Sequence, residues 1–168
     1  MSTDRRPFWE TTPLAAMSET QWESLCDGCG RCCLIKLEDE DSGRFYFTDV
    51  ICALFDGQSC TCRDYPNRQE RVPDCVKLTP DVIGELGWMP PTCAYRLLSE
   101  GQGLPSWHPL VTGRRESVID AGISVKGRIF AAEDELTLDE IVLRVKQWPG
   151  RWPRGSRPET MRRRNSRN

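Results

Sequence analysis

In Cys26-Asp27-Gly28-Cys29-Gly30-Arg31-Cys32-Cys33, the stretch that decides how this chain is built, four thiols fall within eight residues. The whole chain of 168 residues holds nine cysteines but a single histidine, so imidazole ligands are scarce. Clustered thiolates without imidazoles suit a structural zinc ion or an iron–sulfur cluster. The sequence therefore predicts a thiolate-coordinated metal centre.

The spacing of the first three cysteines, Cys-x2-Cys-x2-Cys, matches the start of bacterial ferredoxin-type iron–sulfur motifs. Gly28 and Gly30 supply the backbone freedom that a tight turn between such ligands needs. The next cysteine departs from the ferredoxin pattern, because Cys33 directly follows Cys32 and precedes leucine instead of proline. Since adjacent side chains tend to point apart, we expect Cys32 and Cys33 to serve different sites, or one to ligate while the other packs.

Completing a site around this run requires cysteines from later in the chain, all of which precede residue 94. Closing long loops costs little more than closing short ones, and a structural zinc ion can contribute about 10–16 kcal/mol to folding. Cys60 is set apart from the ligands, because its neighbour Cys62 can ligate in its place while Cys60 packs as a small apolar side chain. The predicted ligands, in one site or two, are Cys26, Cys29, Cys32, Cys33, Cys52, Cys62, Cys75 and Cys93.

The cysteine count and the start of the chain argue against a secreted, disulfide-stabilised protein. The count is odd, and the polar segment from Met1 to Trp9 lacks the apolar stretch of a secretion signal. We therefore expect reduced thiols and a cytoplasmic location. No apolar run approaches the roughly 18–20 residues needed to span a bilayer, so a membrane role is not expected.

Charge is distributed unevenly along the chain. Residues 149–168 contain seven arginines and one acid, so the remainder is acidic although the formal net charge is only −2. We expect 149–168 to form a basic, disordered tail. Weak electrostatic attraction of this tail to nucleic acid is the alternative, but no recognisable RNA- or DNA-binding module precedes it.

The local patterns predict a small single domain of the α+β class over residues 8–148, with short helices, a β-hairpin and an irregular cysteine-rich segment (26–93) organised by metal. Apolar and β-branched residues on both sides of a polar turn predict the hairpin from strands at 34–37 and 45–48. Capping boxes predict helices after Ser18 and after Thr137, Thr79-Pro80 predicts another, and alternation predicts a strand over 123–129.

Five segments together resemble a known family: residues 26–34, 60–68, 71–78, 91–96 and 107–110. They are similar to the CxxCxxCC cysteine-cluster proteins, and in particular to their YcgN-type bacterial branch, over roughly residues 8–130. The resemblance implies a zinc- or iron-chelating domain in which most of the cysteines form a metal site. A related domain occurs in flagellin lysine N-methylases, but this chain has no Gly-rich loop that would hold S-adenosylmethionine, so methyl transfer is not expected.

Three functions compete on these grounds. The first is a metal-binding protein that holds an iron–sulfur cluster or zinc, and the second is a zinc-stapled adaptor that binds an unidentified protein partner. The third is an enzyme that pairs Cys93 with His108, although a lone histidine beside Trp and Pro is more typical of a packed loop. Arg68, Arg71 and Arg96 lie near cysteines, where they either offset the charge of a thiolate centre or form salt bridges with acids.

Overall fold

The computed structural model describes residues 5–150 and confirms the predicted α+β class. Within these residues, seven short α-helices accompany five strands and four 3-10 turns. The helices are α1 (Phe8–Thr11), α2 (Glu19–Ser24), α3 (Arg68–Arg71), α4 (Ala94–Ser99), α5 (Pro109–Thr112), α6 (Ser117–Asp120) and α7 (Leu138–Val142). The strands are β1 (Leu34–Glu38), β2 (Phe45–Ile51), β3 (Phe55–Asp56), β4 (Thr61–Cys62) and β5 (Ala131–Ala132). The 3-10 turns are Leu14–Ala16, Arg31–Cys33, Ile83–Glu85 and Glu133–Glu135.

The described chain divides into two compact units. Unit 1 consists of residues 5–27 and 78–118, and unit 2 consists of residues 28–77 and 119–150. The regular elements described in unit 1 are helical, whereas all five strands lie in unit 2. The predicted extent of the cysteine-cluster domain, 8–148, stays a prediction. The predicted basic tail lies outside the described residues from 151 onward.

Unit 1 is built around an aromatic pair. The predicted capping box is present at the start of α2, where the Ser18 hydroxyl accepts a hydrogen bond from Gln21 N and the Gln21 side chain accepts one from Ser18 N. The helix then buries Trp22, whose ring lies 4.6 Å from that of Tyr95 between centroids. The Tyr95 hydroxyl donates to the Trp22 carbonyl at 2.8 Å, and Trp22 Nε1 donates to the Leu78 carbonyl at 3.0 Å. Because each polar group of the pair is satisfied, the rings are buried at little cost.

Unit 2 is built on the predicted hairpin. Strands β1 and β2 pair antiparallel, and β5 adds a short parallel pairing to β2, while β3 and β4 form a second two-stranded sheet. Leu34, Ile51, Phe55 and Val125 form the core, and three thiols pack against it together with Trp148. The three thiols are those of Cys33, Cys52 and Cys60.

The residues after α7 return to β2. Arg144 Nε donates to Asp49 Oδ1 at 2.9 Å and Arg144 Nη2 donates to Asp49 Oδ2, so the guanidinium holds both oxygens of a buried carboxylate. Trp148 Nε1 donates to the Thr48 carbonyl at 3.0 Å. The helix itself starts as predicted, with a capping box at Thr137.

The predicted strand over 123–129 is wrong. Gly122 and Gly127 adopt left-handed φ values of +74° and +75°, and these turns interrupt the extended backbone. The alternation of apolar and polar residues nevertheless marked buried positions correctly, since Ile123 and Val125 are 1% and 0% exposed.

The predicted helix after Thr79 is also wrong, because only the 3-10 turn Ile83–Glu85 forms there. Gly84 lies inside this turn and Gly87 follows it. Each glycine costs about 1 kcal/mol relative to alanine in a helix, which is too much for so short an apolar segment to offset.

Candidate metal centre

The cysteine run turns at its two glycines, as predicted. Gly28 and Gly30 have φ values of +74° and +76°, a conformation that other residues rarely adopt. Gly30 starts the 3-10 turn Arg31–Cys33, and Cys33 N donates to the Gly30 carbonyl at 3.1 Å. The run is tied to unit 2 by Val125 N, which donates to the Cys29 carbonyl at 2.9 Å.

Five thiols of unit 2, which we call the thiol group, lie near enough to one another for the charges of neighbouring members to raise the pKa values of Cys33, Cys52 and Cys75. The hairpin places two of them together, because Cys52 N donates to the Cys33 carbonyl at 2.9 Å. The members are Cys32, Cys33, Cys52, Cys62 and Cys75.

The surroundings of three members of the thiol group, Cys33, Cys52 and Cys75, favour protonated sulfur. The pKa of the Cys33 thiol is raised by its hydrogen bond with Cys32 and by burial. Burial is the main cause that raises the pKa of Cys52 and of Cys75, and neighbouring thiols add to it. A metal ion would therefore displace protons when it binds, as thiolate ligation requires.

The side chains of Cys32 and Cys33 are hydrogen bonded to each other, although Cys33 packs against the core of unit 2 and Cys32 is exposed. Whether both ligate, or one ligates while the other packs, stays a prediction. The hydrogen bond forms within the 3-10 turn that contains both residues. With three residues per turn, successive side chains are separated by about 120° instead of the near opposition found in a strand. Both thiols therefore belong to one group.

A lysine and an arginine lie beside the thiol group. The charge of Lys36 acts on Cys33, and the charge of Arg68 acts on Cys75, to which Arg68 also donates a side-chain hydrogen bond. Arg68 is held in place by the Tyr65 carbonyl at 2.6 Å and by the Tyr65 ring, whose centroid lies 3.8 Å from the guanidinium carbon.

The other two arginines near cysteines form salt bridges instead. Arg71 Nη1 lies 3.3 Å from Asp64 Oδ2, and Arg96 Nε lies 2.9 Å from Glu100 Oε1. Of these three arginines, Arg68 is therefore the one suited to offset the charge of a thiolate centre.

Sequence reasoning missed two charged residues near the thiols. Lys36 is half-buried on β1, and Glu133 acts on Cys52 while its Oε1 accepts a hydrogen bond from Ala53 N at 3.1 Å. A usable signal for Lys36 was its place as the third residue of the strand that directly follows the four cysteines. Nothing local in the sequence pointed to Glu133, which lies 80 residues from its partner.

The remaining cysteines have distinct positions. Cys60 adopts a φ of +55° and packs against the core of unit 2, with its sulfur 3.8 Å from Ser124 Oγ and 3.9 Å from the Gly57 carbonyl. Cys29 is buried in unit 2, and Cys26 is exposed in unit 1 just after α2.

Cys93 lies in unit 1 as the residue that precedes α4, and its side chain packs against the Trp22–Tyr95 core. Helix α4 begins at Ala94 because the backbone of Cys93 is extended, at φ −67° and ψ 129°.

His108 has a structural place in unit 1. Its ring is completely buried, Nδ1 accepts a hydrogen bond from Leu110 N at 3.0 Å, and Nε2 lies 2.9 Å from the Leu25 carbonyl. Because Nδ1 accepts and a carbonyl can only accept, the ring is neutral with its proton on Nε2. Burial lowers the pKa of His108 below its usual range. Both ring nitrogens thus form hydrogen bonds with backbone groups. This supports a packed loop histidine over a catalytic pair of His108 with Cys93.

The donor chemistry of the thiol group fits zinc or an iron–sulfur cluster. None of the nine cysteines forms a disulfide, and two members of the thiol group, Cys33 and Cys52, pack against the core of unit 2. Within residues 5–150, however, no three or more His, Cys, Asp or Glu side chains are already arranged to hold a metal ion. The described thiols are therefore neighbours that have not converged to ligand geometry.

In the part of the chain that the structure describes, no helix is both long and apolar enough to cross a bilayer.

Comparisons with known proteins bear on the same cysteines. Residues 25–94 match the CxxCxxCC family, described as a "putative zinc- or iron-chelating domain". A UPF0260 protein of Rhodopseudomonas palustris is 56% identical over 147 residues, which cover 88% of this chain and 86% of that protein. A UPF0260 protein of Mesorhizobium japonicum is 58% identical over 134 residues, which cover 80% of this chain and 90% of that protein. One of Gluconobacter oxydans is 49% identical over 153 residues, which cover 91% of this chain and 92% of that protein. No solved structure matches the chain. Identity of this level over most of both chains shows that the chain belongs to the UPF0260 protein family.

Proposed function

We propose that this protein binds a metal centre through cysteine thiolates, with an iron–sulfur cluster as the first candidate and zinc as the second. The observation that carries the proposal is the thiol group, five cysteines of unit 2 that form no disulfide and lie near enough to one another for their charges to affect the pKa values of Cys33, Cys52 and Cys75. Soft thiolates select zinc or iron–sulfur centres over hard cations. The Cys-x2-Cys-x2-Cys spacing favours iron–sulfur.

The full ligand set that we propose is the eight cysteines predicted from sequence, and the thiol group is its centre. Cys29 lies in the same unit as the thiol group, and Cys26 and Cys93 lie in unit 1. Because the members of the thiol group within unit 2 are not arranged to hold a metal ion, metal binding should draw these thiols together and order the chain between them. The protein would then be less stable, and more readily cleaved by proteases, without its metal.

The same observations support narrower proposals about lineage and location. The motifs around residues 26–34 and 91–96 favour the YcgN-type branch of the family. Nine cysteines that form no disulfide suit a reducing compartment, which favours the cytoplasm. A protein partner or weak nucleic-acid contact through the basic tail would involve residues beyond those described.

Metal content separates the candidates. The protein is purified without oxygen, and its iron, acid-labile sulfide and zinc are measured together with a visible spectrum. Iron, sulfide and a broad visible absorption would support the cluster, whereas a colourless protein with stoichiometric zinc would exclude it in favour of zinc. A folded, metal-free protein would refute both.

Two neighbouring cysteines provide a matched pair for placing the centre. Cys62→Ser removes a member of the thiol group, whereas Cys60→Ser alters a thiol that packs against the core and lies beside Ser124. We expect Cys62→Ser to lose most of the bound metal and Cys60→Ser to keep it. Equal retention, or equal loss, in the two variants would show that the thiol group is not the centre.

A further inference from the structure

The last described residues of unit 2 lie along β2, and we call residues 144–149 the strap. At its start, Asp49 N donates to the Arg144 carbonyl at 3.2 Å. Two residues further, Lys146 N donates to the Phe47 carbonyl at 2.8 Å. Because these two bonds alternate along the backbone, the strap extends the sheet by a short antiparallel pairing.

The two ends of the strap are held in different ways. The first end is fixed by the guanidinium of Arg144, which holds both carboxylate oxygens of Asp49. Toward the other end, the Trp148 ring packs against the core of unit 2 and its Nε1 donates to a carbonyl of β2 at 3.0 Å. Pro149 has no N–H, and its carbonyl accepts a hydrogen bond from Arg31 Nη1 at 2.6 Å. Side chains therefore fasten this second end.

Arg31 belongs to the cysteine run, where it lies between Cys29 and Cys32 and starts a 3-10 turn. The residue is only 3% exposed, and a buried guanidinium depends strongly on its hydrogen bonds because water cannot replace a lost partner. Its bond to the Pro149 carbonyl spans 118 positions of the chain. A single side chain thus joins the turn of the cysteine run to the strap.

We propose that the strap is a latch on the cysteine run, in which Arg31 is the positioning residue that makes the strap and the run open together. Cys33 and Cys52 pack against the same core as Trp148, so opening of the strap uncovers these two thiols. The latch does not depend on the proposed metal binding, because its contacts are made by nitrogen and oxygen atoms and an aromatic ring of the chain itself.

The test weakens the latch from each side in the full-length chain. Arg31→Met removes the donor on the cysteine run, and Trp148→Phe removes the Nε1 donor on the strap while it keeps an aromatic ring. Ile123→Val is the matched control, because it trims a side chain of unit 2 that is 1% exposed and leaves the contacts of the strap in place. Hydrogen exchange, resolved to short peptides by mass spectrometry, compares residues 29–34 with residues 144–149. Labelling by iodoacetamide, measured at each cysteine, reports how far the thiols are exposed.

We expect each substitution to act on the segment that does not carry it. Arg31→Met should speed exchange in the strap by about tenfold or more, the factor that corresponds to one lost hydrogen bond of a charged group. Trp148→Phe should speed exchange in residues 29–34 by about 2–10-fold, because it removes a neutral hydrogen bond. In both variants Cys33 and Cys52 should be labelled faster than in the wild type, whereas Cys93 of unit 1 should keep its rate.

Three results would overturn the latch. Faster exchange only in the segment that carries the substitution shows that the strap and the run open independently. A uniform increase throughout unit 2, as in Ile123→Val, shows that Arg31 and Trp148 only stabilise the fold. Unchanged labelling of Cys33 and Cys52 shows that the strap does not control access to them. If Arg31→Met does not fold, Arg31→Lys, which keeps the charge but shortens the reach to Pro149, is subject to the same criteria. A wild-type chain without metal refutes the proposed function, whereas the exchange measurements still decide on the latch.

Discussion

Gly30 is the position at which one methyl group should do the most damage. A Cβ at residue 30 would lie 2.6 Å from Phe55 Cζ and 2.7 Å from Val125 Cγ2, both well inside van der Waals contact. Neither neighbour can move away easily, since Phe55 is 5% and Val125 0% exposed. Overpacking of this kind costs about 1–3 kcal/mol, and the left-handed φ of +76° adds about 1–2 kcal/mol for a residue with a Cβ. We therefore expect Gly30→Ala to lower the free energy of unfolding by about 2–5 kcal/mol.

Gly28→Ala separates the two contributions. Gly28 has nearly the same φ, +74°, but a Cβ there meets no atom within 4 Å. Its cost should be the conformational part alone, about 1–2 kcal/mol. Both variants are unfolded in urea at matched metal content and followed by far-UV circular dichroism, with the free energy obtained by linear extrapolation. Equal destabilisation by the two substitutions would refute the packing argument, because only Gly30 faces the core.

Two further predictions use groups outside the thiol group. Because burial keeps His108 neutral and lowers its pKa, the free energy of unfolding should fall as pH drops below about 6.5, by at most about 1.4 kcal/mol per pH unit. In urea titrations from pH 7 to 5.5, His108→Asn should lack this decline, and an identical decline in both proteins would contradict the assignment. Arg144→Ala should cost about 1–3 kcal/mol, because it leaves the carboxylate of Asp49, which is 7% exposed, without its bidentate partner. Arg71→Ala, which breaks the more exposed bridge to Asp64, should cost about 0–1 kcal/mol, and similar losses in the two arginine variants would refute the distinction.

Local patterns in the sequence were reliable where a few neighbouring residues decide the structure. The capping boxes at Ser18 and Thr137 and the hairpin after Cys33 are present as predicted. Predictions failed where a local pattern competed with glycine. The alternation at 123–129 correctly marked buried positions, but the glycine turns at its edges prevent pairing as a strand.

The candidate site shows the same division. Composition and spacing identified the thiols as candidate ligands, but they did not indicate the hydrogen bond between Cys32 and Cys33, which depends on the 3-10 turn that contains them. Lys36 is close to the cysteine run in sequence, and yet only the structure shows that its ammonium group donates to the Cys32 and Leu34 carbonyls. Glu133 reaches Cys52 only because the chain returns to β2 after a long excursion.

By itself, the sequence determined the supply of thiols, the glycines that let the cysteine run turn, the hairpin that follows it and the family to which the chain belongs. These depend on residue type and on contacts between near neighbours, which physical chemistry constrains strongly. Only the tertiary structure decided which thiols form one group, that Cys60 packs against the core, that both nitrogens of His108 meet backbone groups, and that Lys36 lies against the cysteine run. Those outcomes depend on packing between segments far apart in the chain, where many pairings satisfy the same local pattern and only the assembled core selects among them.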